Sequence, residues 1–256
     1  MLYESLIWLM YALLLLSVGS FINVVIYRLP LRIQDPDVNI SLALPRSHCP
    51  DCKSKLRIRD NIPVFSWMLL RGRCFNCRNL ISFRYPLIEL ITLLTGILLA
   101  LLIPFSPALF CTLILFWMLL ALTAIDLEHK LLPDALTLAL LWAGLLFQSS
   151  GILPSTLKDA VWGAAGGFFV FWLVAEAYLC FRGCEALGMG DAKLLAALGA
   201  WLGWQQLPAV LLYAASAGIL QVIFMHLAFQ RSLQQPVAFG PALAGAGAFL
   251  FVCSII

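Results

Sequence analysis

The chain has 256 residues, of which 62% are hydrophobic and only 11% charged, with a mean hydropathy of +0.97. A soluble domain carries about 25% charged residues, so a water-soluble fold is excluded and the bilayer is the main solvent. The formal net charge of +3 is small, yet eleven of the sixteen Lys and Arg residues fall between Arg28 and Arg84.

A run of about 20 apolar residues crosses the hydrocarbon. Eight runs qualify, at roughly 4–27, 86–104, 108–125, 133–149, 160–181, 192–204, 207–229 and 237–255. None alternates as barrel strands do, so the expected fold is an all-α polytopic membrane protein of about eight transmembrane helices. The first run carries Tyr3 and Glu4 in place of a basic n-region and has no clear small-residue cleavage site. It is expected to be a retained span and not a removed signal. The sixth run is short, and its Gly199, Trp201, Gly203 and Trp204 read as a tight interfacial end.

Charge sets the orientation. With the 28–85 loop in the cytoplasm, Lys130, Arg182, Lys193 and Arg231 fall on that side as well, and only Lys158 falls opposite. Such asymmetry is the positive-inside pattern. It places a basic stretch beside a span for reasons of topology, so no nucleic-acid partner is expected; anionic lipid headgroups are. Three segments follow: 1–27 as the first helix, 28–85 as a cytoplasmic domain, and 86–256 as a seven-helix membrane domain.

The 28–85 loop is too small for a large apolar core, and such pieces need a staple. It offers Cys49-Pro-Asp-Cys52, 21 intervening residues, then Cys74-Phe-Asn-Cys77. Two CxxC knuckles at this separation suit a tetrahedral zinc site, which four thiolates close completely, so its role is structural. Disulfides are the rival, disfavoured where thiols stay reduced. Cys111, Cys180, Cys184 and Cys253 read as small packing residues.

Ionisable groups in or beside spans are costly and mark function. Asp126 ends the third run in Ile125-Asp126-Leu-Glu128-His129-Lys130, and Asp191 follows Gly188-Met-Gly190 and precedes Ala192-Lys193. Topology puts both at the cytoplasmic edge. Two carboxylates at one depth suit an aspartyl peptidase: one takes a proton from water, the other, protonated, supports the scissile carbonyl and then protonates the leaving nitrogen. Gly188 and Gly190 permit close backbone approach. The plainer alternative is that Asp126 merely ends its helix and Asp191 caps the next. Asp134, after Pro133, is expected to cap the fourth helix. Glu128 is expected in solvent, Glu89 in a structural role, and Glu176 toward the bundle interior or a water-filled site.

Six strings together resemble the bacterial type IV prepilin peptidases, which belong to the GxGD membrane aspartyl proteases. They are Gly19-Ser-Phe-Ile-Asn23 through Pro30, the two cysteine knuckles, Arg84-Tyr-Pro-Leu-Ile-Glu89-Leu, Asp126 through Asp134, Gly188-Met-Gly-Asp191-Ala-Lys193, and Phe239-Gly-Pro-Ala-Leu-Ala244. Each is modest alone; all six in order are specific. The resemblance implies an enzyme of the bacterial inner membrane with Asp126 and Asp191 as its catalytic pair. Its substrates would be prepilins or the pseudopilins of type II secretion, cut after the glycine of a short basic leader on the cytoplasmic side. It further implies N-methylation of the new terminus with S-adenosylmethionine, for which no glycine-rich fingerprint marks a site. A proton-coupled transporter using Asp126, Glu176 and Asp191, or a membrane scaffold of a secretion system, would leave the four cysteines or the paired aspartates unexplained.

Overall fold

The structure is a computed structural model describing residues 2–35, 40–183, 188–230 and 237–256; Cys184 and Arg231 lie outside these. Among the described residues all regular structure is helical, apart from two isolated β-bridges, His48–Lys55 and Arg73–Leu80. The chain divides into two compact units, Met1–Leu102 and Ile103–Ile256.

In the first unit, α1 (Leu2–Gln34) packs along α3 (Arg84–Leu102). Glycine makes the approach close. A methyl group on Gly19 would stand 2.8 Å from the Glu89 Cα, and Gly96 receives the fully buried Leu15. Tyr11 donates its hydroxyl to the Gly96 carbonyl at 2.9 Å. Helix α1 continues through Pro30, past the expected end at residue 27. There Arg28, 4% exposed, donates to the carbonyls of Ser41 at 2.8 Å and Pro45 at 2.6 Å. This guanidinium therefore clamps the loop as well as adding to its charge. Between α1 and α3 lie a 3-10 turn (Ile58–Asn61), the short α2 (Phe65–Leu69) and the two knuckles.

The second unit comprises α4 (Pro107–His129), α5 (Asp134–Ser149), α6 (Leu157–Arg182), α7 (Met189–Leu202), α8 (Leu207–Phe229) and α9 (Gly240–Ile255). Ser106 caps α4 and Thr156 caps α6 through side-chain oxygens that accept from Leu109 and Asp159 N–H groups, satisfying donors that a helix start leaves open. The centre of the unit is α7. Every residue from Ala192 to Leu202 except Lys193 is buried, and α7 packs against α5, α6 and α9. A Cβ on Gly163 of α6 or on Gly199 of α7 would collide with the other's backbone, and one on Gly167 would lie 2.8 Å from the Leu195 carbonyl oxygen. Small residues of this kind let membrane helices touch backbone to backbone.

This corrects the placing of Trp201 at an interfacial end, although Gly203, at φ 78°, does end the helix there and Trp204 is exposed. Trp201 is 1% exposed, donates to the Leu140 carbonyl at 2.8 Å, and has its own carbonyl bonded by Gln148 at 3.0 Å. All eight expected runs coincide with helices. Of these, α1, α3, α4, α6 and α8 are long and apolar enough to cross a membrane, while α5 and α9 have 16 residues each and α7 has 14. At 1.5 Å per residue, α7 rises about 21 Å against hydrocarbon about 30 Å thick. The chain is thus a multi-pass membrane protein.

Candidate active site and metal centre

Asp126 sits in the last turn of α4, 6% exposed. Lys130 takes the left-handed conformation, φ 53°, and its N–H closes the helix onto the Asp126 carbonyl at 2.9 Å. The carboxylate does not end the helix passively. Its Oδ2 accepts the N–H of Gly240, 3.0 Å away, at the start of α9. A side chain at position 240 would meet that oxygen, since a Cβ there lies 2.5 Å from it. Glycine is required for the approach.

Asp191 lies in the first turn of α7, whose N-cap is Gly188 with extended backbone. The expectation of an aspartate cap is therefore corrected: Asp191 stands three residues inside, and its N–H bonds the Gly188 carbonyl at 3.0 Å. Leu132 fills the space around which these segments converge. A Cβ on Gly190 would lie 2.8 Å from the Leu132 Cβ, and one on Gly240 would lie 3.3 Å from its Cδ2. The charge of Asp126 bears electrostatically on Asp191. Three chain segments, the α4–α5 connection and the starts of α7 and α9, thus meet at one end of the unit.

Other expectations turn out differently. Asp134 does not cap α5, whose N-cap is Pro133; its Oδ1 takes an ion pair of 2.6 Å from the Nζ of Lys193, tying the starts of α5 and α7 together. Glu176 is exposed on α6 and does not face the interior. Glu128 is exposed, as expected, 3.9 Å from His129. Glu89, in the first unit, is 7% exposed and accepts the Val64 N–H at 2.7 Å, fixing a residue held at φ 61°. Sequence reasoning missed the part played by Gly240. The Phe239-Gly240-Pro241 string marked the place but not its partner, 114 residues away.

Asp126 and Asp191 are thus both carried by segments that meet at one end of the unit. Two carboxyl groups brought close share a proton, because ionising both is costly, so that one can act as base while the other acts as acid.

The four cysteines of the first unit form one cluster, with all four Sγ atoms of Cys49, Cys52, Cys74 and Cys77 within 4.8 Å of one another. Zinc–sulfur bonds of about 2.3 Å in a tetrahedron set sulfur atoms about 3.8 Å apart; Cys49 and Cys77 stand at 3.9 Å. The two knuckles repeat one backbone pattern. Cys49 N–H bonds Ser54 and Lys53 N–H bonds Cys49; Cys74 N–H bonds Asn79 and Arg78 N–H bonds Cys74. Lys53 and Arg78 both take positive φ, 55° and 61°. A hydrogen bond with the Ser54 hydroxyl holds the Cys52 thiol down at about 6, whereas at Cys77 a backbone bond from Asn79 is outweighed by burial and the neighbouring thiols, which push it up to about 12; a bound metal would require all four as thiolates. His48 is bonded to the Arg46 carbonyl and is not part of the cluster. The donor set fits a closed metal centre.

Comparison with known proteins divides the chain in nearly the same place. Residues 13–103 match the bacterial peptidase A24 N-terminal domain, and residues 113–224 match the type IV leader peptidase family. A prepilin leader peptidase/N-methyltransferase of Pectobacterium carotovorum subsp. carotovorum is 47% identical over 248 residues, covering 91% of this chain and 88% of the relative. The protein of the same name from Dickeya chrysanthemi is 45% identical over 267 residues, covering 98% and 94%. That of Aeromonas hydrophila is 44% identical over 260 residues, covering 94% and 89%. No solved structure matches.

Proposed function

The chain belongs to the type IV leader peptidase family, and from that premise we propose that it is an aspartyl endopeptidase that cuts the basic leader from prepilins or type II secretion pseudopilins after a glycine, then methylates the new N-terminal amine. The observation that carries the peptidase reading is the convergence of Asp126 and Asp191, from helices far apart in sequence, around Leu132 and the glycine backbones at 190 and 240.

The mechanism follows from the pair. One carboxylate is ionised and takes a proton from a water molecule as that water attacks the scissile carbonyl. The other, protonated, donates to the carbonyl oxygen and afterwards hands its proton to the leaving nitrogen. The Gly240 N–H holds one oxygen of Asp126, so this carboxylate meets the water with fixed orientation. Gly188 leaves the backbone beside Asp191 open to an extended peptide, while Gly190 admits the close approach of Leu132. The Lys193–Asp134 ion pair supports the loop from behind.

Fifteen of the sixteen basic residues fall on one side in the eight-span reading, which supports the bacterial inner membrane with the 28–85 segment and both aspartates facing the cytoplasm. The four thiolates would hold one structural zinc ion, leaving no open position for water. S-adenosylmethionine would supply the methyl group. Neither a transporter nor a scaffold accounts for relatives named peptidase and methyltransferase across nine-tenths of the chain.

Mass spectrometry tests the reading. Purified protein is incubated with a prepilin-like peptide and S-adenosylmethionine. The expected products are a leader ending in glycine and a mature fragment heavier by one methyl group. A cut elsewhere, or none by protein with full metal content, would overturn the proposal.

A further inference from the structure

Peptide cleavage leaves one surface of the first unit unused, and that surface is apolar. Helix α2 consists of Phe65, Ser66, Trp67, Met68 and Leu69, none of them buried. Leu69 is 82% exposed and Leu80, just past the second knuckle, 78%; Phe65, Met68 and Phe83 are also largely exposed. A contiguous apolar patch of this kind marks contact with a partner or a membrane.

Short contacts fix the patch beside the start of α3. The Val64 N–H, at the head of α2, donates to Glu89 at 2.7 Å. Trp67 donates to the Ile81 carbonyl at 3.2 Å and packs edge-on against Phe83, ring centroids 5.6 Å apart. The Phe83 carbonyl accepts the Leu87 N–H at 3.1 Å, which carries the first turn of α3 back by one residue. Helix α3 is long and apolar enough to cross a membrane. Phe83 continues its exposed stripe of Leu87, Leu94, Leu98 and Leu101, all within an arc of about 60° at 3.6 residues per turn. Glu89 stands five residues past Arg84, about 7.5 Å along the axis. Helix α2 therefore begins level with the second turn of a membrane helix, and interfacial helices rest about 5–10 Å into the boundary between headgroups and acyl chains.

Charge points the same way. From residue 61 to residue 88 the chain has four basic residues, Arg71, Arg73, Arg78 and Arg84, and no acidic one. Arg71, Arg73 and Arg78 are exposed, and Arg73 pairs with Leu80 across the knuckle. One stretch thus carries both the exposed apolar side chains and the cations that anionic headgroups attract.

We infer that α2, with Leu80 and Phe83, is an interfacial anchor that lies in the surface of an anionic bilayer, with Arg71, Arg73 and Arg78 at headgroup level. The bilayer then holds the second knuckle at the membrane edge, in addition to the helices α1 and α3 on either side of the loop.

The full-length protein, with its metal, is reconstituted in nanodiscs of phosphatidylethanolamine and phosphatidylglycerol. Both leaflets are alike there, so the result does not depend on orientation. A phospholipid with a diazirine high in its acyl chain is photolysed, and the labelled peptides are mapped by mass spectrometry. The expected result is label on residues 65–83 of the wild type. It should fall about tenfold or more in the double variant Leu69→Asp, Leu80→Asp. It should fall several-fold in the triple variant Arg71→Gln, Arg73→Gln, Arg78→Gln and in nanodiscs of phosphatidylcholine alone. Metal content checks the folding of each variant, and the wild-type label is read without any of them. Label confined to the membrane-crossing helices overturns the inference, as does label undiminished in the folded double variant or indifferent to headgroup charge. A protein occupant would leave this face unlabelled and overturns it equally. The peptidase reading is judged separately by peptide cleavage, which these outcomes do not touch.

Discussion

The two units hold their chemistry by different means. In the first, four sulfur atoms from two knuckles that repeat one turn are drawn together, and the residues between them form only a 3-10 turn, a five-residue helix and isolated bridges. In the second, six helices are packed around α7, with glycine crossings at 163, 167 and 199 and a ring cluster about Trp201, and two carboxylates are held where helices end and begin. A short segment in water cannot bury enough surface to stand alone and is expected to depend on a metal. A helix bundle in lipid relies instead on close packing and satisfied backbone, because lipid tails are as apolar as leucine. The first arrangement should fail locally and completely; the second should fail by degrees.

The largest predicted effect therefore belongs to the knuckles. Cys74→Ser should release the metal and abolish amide protection at Cys49, Cys74 and their bonded neighbours, since structural zinc contributes on the order of 10 kcal/mol to folding of such modules. Hydrogen exchange read by mass spectrometry should show protection across α7 unchanged. Full metal content in this variant would refute the zinc assignment.

A smaller and different effect is expected at Gly240. Alanine there places a methyl group 2.5 Å from the Asp126 Oδ2, so the carboxylate must turn away from its donor. Cleavage should slow about 100-fold while thermal stability changes little, because displacement of about 1 Å in a reacting group costs rates of that order. An unaltered kcat would mean that the bond to Asp126 does not orient it.

The mildest effect is expected at Lys193. Its ion pair with Asp134 is partly exposed, at 29% and 60% of the two side chains, and such pairs contribute about 0.2–1 kcal/mol. Lys193→Met should lower stability by no more than this and slow cleavage only a few-fold. A loss as deep as that of an aspartate variant would instead place Lys193 in contact with the substrate.

The same contrast governs how much could be read from residues alone. The knuckles declared themselves by spacing, because their ligands are local in pairs. The helices declared themselves by length of apolar run, and all eight were where expected. Hydropathy could not separate α7, buried on all sides, from α6 and α8, whose Leu173 and Leu220 are 64% and 66% exposed; in a membrane both surroundings select the same residues. Trp201 was accordingly placed at an interface when it is core. Asp134 had the position of a cap, and its Lys193 partner lies 59 residues on. The Gly240 contact was invisible for the same reason: a glycine conserves no chemistry of its own, and its meaning lies in what approaches it.

The most direct measurement compares wild type, Asp126→Asn and Asp191→Asn for cleavage of a prepilin-like peptide, each variant first shown to fold with its metal bound. The carboxylate-pair account predicts that both variants lose cleavage by several orders of magnitude while retaining affinity for the peptide. Cleavage near the wild-type rate by either one would contradict it and remove Asp126 and Asp191 from the chemistry.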